Sequence, residues 1–138
     1  MKNALRERGQ AVVELALIMT LLGVVAVAAT NFALGVSQYM QVVNAANAAA
    51  QYASSGTSQS TNTSQISSVA KADLGSLYPP SGGSITSSTS DDGTGQGLKE
   101  VRVTVAVPYQ LTIPFAGYFL PSLTLSTTAV MRVDPYAG

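Results

Sequence analysis

The sequence contains no cysteine and no histidine among its 138 residues, and only 10% of them are charged. Without Cys and His there is no disulfide, no zinc site of the usual kind, no cysteine nucleophile and no imidazole base titrating near neutral pH. Seven Lys and Arg balance seven Asp and Glu, so no basic surface is available to hold nucleic acid by counterion release. These absences argue against an enzyme, a metal, a cofactor and a nucleic-acid partner.

The few charges are unevenly placed, because the next charged residue after Glu14 is Lys71. The first nine residues carry three basic side chains and one acid, which favours a cytoplasmic location for this end. Residues 15–36 carry no charge, and about 22 residues give roughly 33 Å of helix, enough to cross a bilayer once. The sequence therefore predicts a single transmembrane segment, with the chain beyond it outside the cytoplasm.

The helical pattern continues past the lipid boundary, since residues 37–54 contain neither Pro nor Gly and are rich in Ala, the best helix former. We predict one helix from about Gln10 to Ser54, of which only the first half lies in the membrane. Its outer half should bury one face against a partner. That face is predicted to comprise Tyr39, Val43, Ala46, Ala50 and Ala53.

The middle of the chain is polar and rich in turn-forming residues. A helix stop at Gly56 with a flexible Ser/Thr-rich linker is predicted first, then an amphipathic helix over residues 65–77 that Pro79-Pro80 ends. Residues 79–97 have the composition of a loop. Within this loop, Asp91-Asp92-Gly93 is interpreted as a solvated turn, because it lacks the further ligands of a calcium loop.

The last third changes to a period of two, typical of strands. Valines alternate with other residues over 99–107 and predict a half-buried strand, and a second strand is predicted over 123–133. The two should pair antiparallel and cover the outer half of the helix. Between them, residues 108–122 contain three prolines and several aromatic residues and are predicted to form an irregular apolar loop.

Together these segments predict an α+β protein, in which a long amino-terminal transmembrane-plus-outer helix packs on a small antiparallel β-sheet. The division follows the same order: a leader over 1–9, the transmembrane helix half over 10–36, and an extracytoplasmic domain over 37–138.

One motif stands out at the head of the helix, where a basic stretch ends at Gly9 and Glu14 interrupts the apolar run. An acid deep in a membrane span costs about 2.5–3.5 kcal/mol, and less near the interface, so such a residue is usually functional. The segment RGQAVVE resembles the prepilin processing site of type IV pilins and pseudopilins. This resemblance implies cleavage by a prepilin peptidase between Gly9 and Gln10, and pairing of Glu14 with the new amino group of Gln10 on a neighbouring subunit.

The chain as a whole resembles the TadE-like subfamily of Tad/Flp pilus proteins, through RGQAVVELALIMTLLGVVAVAATNF, NAANAAAQYAS and a last strand ending TTAVMRV. The resemblance implies a pilin-like fold and a minor pseudopilin, or a main filament subunit, of a thin adhesive pilus. Its implied partners are other pilin or pseudopilin subunits, the prepilin peptidase, an inner-membrane assembly platform and membrane lipid. The implied location is the bacterial inner membrane, or the cell surface after assembly.

Two other classes of protein compete with this interpretation. One is a secreted protein with a cleaved signal peptide, because Ala26-Val27-Ala28 forms an A-x-A site after an apolar stretch. Against it, the apolar character continues through Val36 and Glu14 interrupts the approach to that stretch. The other, a membrane-bound enzyme, lacks a plausible catalytic group, since Glu14 is at the membrane and Asp91 and Asp92 are in a loop.

Overall fold

The computed structural model describes residues 2–78, 82–95, 98–109 and 123–134, and of residues 2–8 it describes the backbone alone. These residues form three α-helices, a short 3₁₀ turn and three β-strands, which confirms the predicted α+β class. In chain order they are α1 Lys2–Ser54, α2 Thr57–Thr61, α3 Thr63–Leu74, the 3₁₀ turn Gly75–Leu77, β1 Ser84–Asp91, β2 Lys99–Tyr109 and β3 Leu123–Arg132.

Helix α1 is continuous over 53 residues, or about 80 Å. It ends at Ser54, as predicted, but it begins eight residues earlier than the predicted start at Gln10. Five of the nine leader residues are Ala, Leu, Arg or Glu, which all favour helix, and one interior glycine costs only about 1 kcal/mol. Gly9 is therefore too weak a signal to end the helix.

The outer half of α1 packs against the sheet and α3, as predicted, but its buried face differs from the predicted one. Ala46, Ala50 and Ala53 are buried as expected, whereas Val43 is only half-buried and Tyr39 is 43% exposed. Because most candidate positions are alanine, the sequence pattern indicates the direction of this face only weakly. The face is completed by Val42, Ala45 and Ala49, which are fully buried.

The sheet is antiparallel with β2 at its centre, in the order β1-β2-β3. The predicted pairing of the last two strands is confirmed, with Val103 opposite Ala129. The predicted loop over 79–97 is wrong in its central part, because Ser84–Asp91 forms β1 and pairs with β2 from Ser84↔Ala106 to Asp91↔Lys99. Only Ile85 and Ser87 of this edge strand are half-buried. Because β1 needs few apolar residues, its Ser/Thr-rich composition does not indicate a strand.

The predicted flexible linker contains structure as well, because Thr57–Thr61 forms the short helix α2. Thr89 of β1 donates a hydrogen bond to the carbonyl oxygen of Ser60, at 3.0 Å. Helix α3 then begins at Thr63, where the Asn62 side chain accepts from the Gln65 amide. It ends at Leu74, and the next residue is Gly75, whose φ of 52° is a conformation that glycine adopts at little cost.

The predicted apolar loop over 108–122 begins too early, because Pro108 and Tyr109 belong to β2. Pro108 lies beyond the last β1 pair, Ser84↔Ala106, so its missing N–H costs no bond to β1. The remainder of this loop, residues 110–122, lies outside the described residues.

The core lies between the outer half of α1, α3 and one face of the sheet. Its fully buried side chains include Ile66, Val101, Val103 and Val105. We call the unit formed by α2, α3, the sheet and residues 31–54 of α1 the outer domain.

Candidate functional site

The amino-terminal half of α1 stands apart from the outer domain, since every side chain from Gly9 to Thr30 is exposed. Thr20 and Thr30 donate their hydroxyls to carbonyl oxygens four residues back in the helix, at 2.8 and 2.9 Å. These hydroxyls therefore need no water. The helix is long and apolar enough to cross a membrane, and it is a transmembrane helix.

Gln10 and Glu14 lie four residues apart on the same face of this exposed helix. Their backbones are separated by about 6 Å along the helix axis. Both are exposed, and no charged residue follows Glu14 until Lys71. The arrangement presents one carboxylate at the end of a long apolar surface.

Gly9 directly precedes Gln10, and the predicted cleavage site between these two residues lies inside helix α1. A side-chain Cβ built at Gly9 would meet no other atom within 4 Å. A larger residue at position 9 is therefore compatible with the fold of the chain itself. The three predicted site residues thus lie in one short segment of α1, and the outer domain contributes no described residue to it.

The sequence did not reveal the contact that joins the sheet to the membrane half of α1. Tyr109, the last residue of β2, donates its hydroxyl to the carbonyl oxygen of Asn31 at 2.9 Å in a buried contact. The Asn31 side chain in turn donates to the carbonyl oxygen of Val27 at 2.9 Å. Continuing the valine alternation by one step, from Val107 to Tyr109, would have placed this tyrosine on the buried face.

Gly35 makes room for this contact. A Cβ at position 35 would lie 3.3 Å from the Tyr109 hydroxyl oxygen and 3.4 Å from the adjoining ring carbon. Beside the contact is an open cavity of about 380 Å³, between α1 and the ends of β2 and β3. Its lining includes Ala28, Phe32, Val36, Tyr39, Leu123 and Leu125.

At the opposite end of the sheet, Asp92 follows β1 and contacts two residues, Thr94 and Arg132. Its Oδ1 accepts from the Thr94 hydroxyl at 2.6 Å and from the Thr94 amide at 3.0 Å, and Arg132 Nε lies 3.2 Å from Oδ2. The hydrogen bonds from Thr94, assisted by the Arg132 charge, lower the pKa of the Asp92 carboxyl despite its desolvation. Asp92 thus closes a turn against β3.

These observations define a class: a protein anchored by one long amino-terminal transmembrane helix, whose outer half packs on a small antiparallel sheet. Residues 9–51 match the family described as TadE-like protein. The match covers about a third of the chain, all of it within helix α1, and confirms the resemblance to this family over these residues. No curated protein and no solved structure matches the chain.

The matched segment starts at Gly9 and includes Gln10, Glu14, Asn31 and Gly35. It also runs without a break across the alternative signal-peptide site at Ala26-Val27-Ala28. The match therefore supports a pilin-like protein associated with the Tad pilus, which is a structural component, and gives the secreted alternative no comparable support.

Proposed function

We propose that the chain is a membrane-inserted, pilin-like subunit of a Tad pilus, processed by a prepilin peptidase and used in pilus assembly that supports adhesion. Its amino terminus faces the cytoplasm, and its outer domain lies on the extracytoplasmic side of the bacterial inner membrane. Its partners are other pilin or pseudopilin subunits, the peptidase, the inner-membrane assembly platform and membrane lipid. The TadE-like match over the transmembrane helix supports this role.

The observation that carries the proposal is Glu14, a single exposed carboxylate on the apolar membrane half of α1. A lipid anchor alone would gain from losing this charge, because carboxylates near hydrocarbon are costly. In assembly, Glu14 would neutralise the amino group that cleavage creates on Gln10 of the next subunit. The retained charge is therefore better explained by contact between subunits than by anchoring.

The proposed role of Glu14 in assembly is tested by Glu14→Ala. An uncompensated amino group in an apolar bundle costs about 3–5 kcal/mol for a broken buried pair, and each 1.4 kcal/mol is about tenfold in an equilibrium constant. We expect normal amounts of the protein in the membrane and few or no pili, measured by membrane immunoblotting and by electron microscopy of surface filaments in the same strain.

Thr20→Ala is the matched control, since it also replaces an exposed polar side chain of the same helix by Ala. This variant should retain its pili. Unchanged piliation of Glu14→Ala at a normal membrane level would reduce Glu14 to a tolerated anchor residue and contradict the proposed pairing.

A further inference from the structure

The outer domain has two chemically different ends. The backbone amide of Asp134 donates to the carbonyl oxygen of Ser54 at 2.9 Å, which places the end of β3 beside the end of α1. We call this the upper end, and the opposite end, where Tyr109 contacts Asn31, the lower end. Half of the chain's charged residues lie at the upper end, on the strands or directly beside them: Asp91, Asp92, Lys99, Glu100, Arg102, Arg132 and Asp134.

The described residues that line the cavity at the lower end carry no charge, and they include large exposed apolar side chains. Phe32 is 76% exposed, Tyr39 is 43% exposed, and Leu123 at the start of β3 is 49% exposed. These three residues line the open cavity of about 380 Å³. A contiguous exposed apolar surface usually marks a site that contacts a protein, a membrane or a ligand.

The length of the transmembrane helix fixes the depth of this end. The hydrocarbon core of a bilayer is about 30 Å thick and takes about 20 helical residues. With the Glu14 carboxylate at the cytoplasmic headgroups, the core extends from Leu15 to about Leu34. Asn31 then lies inside the outer edge of the hydrocarbon, and its hydrogen bond to Tyr109 holds the lower end of the sheet at the same depth.

The alternative placement is costly at both ends of the span. Lifting Asn31 clear of the hydrocarbon would draw the helix outwards by several residues, and Glu14 would then enter the core without a partner. It would also leave Phe32 and Leu123 in water. Neither cost arises when the lower end enters the membrane.

We propose that the lower end of the outer domain, formed by Phe32, Tyr39 and Leu123 around the cavity, inserts into the extracytoplasmic leaflet, where lipid acyl chains occupy the cavity. The cavity wall formed by α1 continues directly into the transmembrane surface, so the same lipid covers both. Tyr39, about 7 Å above Leu34, reaches the interface, where tyrosine is enriched. The inference rests on the transmembrane helix and not on assembly into a pilus.

The test uses the absence of tryptophan from the chain, so that a single introduced Trp reports one position. Leu123→Trp probes the lower end, and Val130→Trp is the matched control on the same strand, with exposures of 49% and 46%. The two positions are about 23 Å apart along β3. Leu22→Trp marks the transmembrane helix, and Tyr39→Trp is a second probe of the lower end that keeps an aromatic residue.

The full chain is placed in phosphatidylcholine vesicles, with and without bromine on the acyl chains, and Trp emission is compared. We expect brominated lipid to reduce emission at least about twofold at positions 22 and 123, since an inserted surface lies about 5–10 Å into the acyl boundary. The reduction at position 39 should be smaller but measurable, because this position lies at the interface. Emission at position 130 should be unchanged.

Quenching at position 22 without quenching at 39 and 123 would overturn the inference and leave the proposed function intact. A tryptophan at position 123 that is protected from water but unquenched would also overturn it. In that case, emission that changes on dilution with lipid identifies a second copy of the chain as the cover, and unchanged emission identifies the chain itself. Absence of quenching at all four positions would contradict the transmembrane helix, and with it both proposals.

Discussion

At the scale of single residues, the contact between Gly35 and Tyr109 depends on a missing side chain. Gly35 lies in the apolar helix, where glycine is disfavoured by about 1 kcal/mol relative to Ala. The absence of a side chain at Gly35 allows the Tyr109 ring to approach the helix closely. The Tyr109 hydroxyl can then donate its hydrogen bond to the carbonyl oxygen of Asn31. Gly23 of the same helix has no such neighbour, because a Cβ there would meet no atom within 4 Å.

We therefore expect Gly35→Leu to destabilise the outer domain and Gly23→Leu to leave it unchanged. Both substitutions improve helix propensity to a similar degree, so the difference isolates the clash with Tyr109, which we estimate at about 1–3 kcal/mol from overpacking. The check is the thermal midpoint of the full chain in detergent micelles. Equal midpoints for the two variants would show that the tyrosine ring can move aside without cost.

At the scale of the element, the two faces of the sheet differ in burial, because one face packs against α1 and α3 and the other is exposed. Val103 of β2 is 0% exposed, and it faces Ala129 of β3 and Ser87 of β1 across the sheet. Val130 of β3 is 46% exposed and lies opposite Arg102. The two valines therefore test the two faces with the same side chain.

Val103→Asp should unfold or severely destabilise the outer domain, whereas Val130→Asp should cost little. An unpaired buried carboxylate costs several kcal/mol against a domain stability of about 5–15 kcal/mol. On the open face, an aspartate at position 130 would remain hydrated beside the Arg102 charge. The check is the midpoint of thermal or urea unfolding of both variants in micelles. Similar midpoints would mean that Val103 is not buried as described.

At the scale of the whole molecule, removal of the leader would change the charge of the chain. Residues 1–9 carry Lys2, Arg6 and Arg8 against Glu7, so cleavage after Gly9 leaves four basic and six acidic side chains. The positive charge that favours a cytoplasmic amino terminus would be needed during insertion and would be lost afterwards. The proposed processing and the proposed orientation would thus depend on the same nine residues.

Gly9→Leu should retain the leader, because a peptidase that recognises glycine at this position would be obstructed by a side chain. The variant should fold normally, since nothing in the structure contacts a Cβ at position 9. Mass spectrometry of the membrane protein measures the outcome, with Gly23→Leu as the control that should be processed. Normal cleavage of Gly9→Leu would contradict a peptidase site that requires glycine at position 9.

The sequence by itself determined the transmembrane helix, the α+β class and the pairing of β2 with β3. These follow from strong local signals: a long uncharged apolar run, and valines that alternate with a period of two. The segment with Gly9, Gln10 and Glu14 was also found from sequence, because a lone acid beside a membrane span is unusual in any fold. Its processing and pairing remain predictions.

Only the tertiary structure decided which face of the alanine-rich helix is buried, that the Ser-rich segment 84–91 is an edge strand, and that Tyr109 reaches Asn31. Alanine fits a helix on either face, so the neighbouring sheet selects the face. Serine and threonine form a strand here because β2 supplies the pairing. The Asn31 contact joins residues 78 positions apart, and a local sequence pattern carries no information about which distant residues meet.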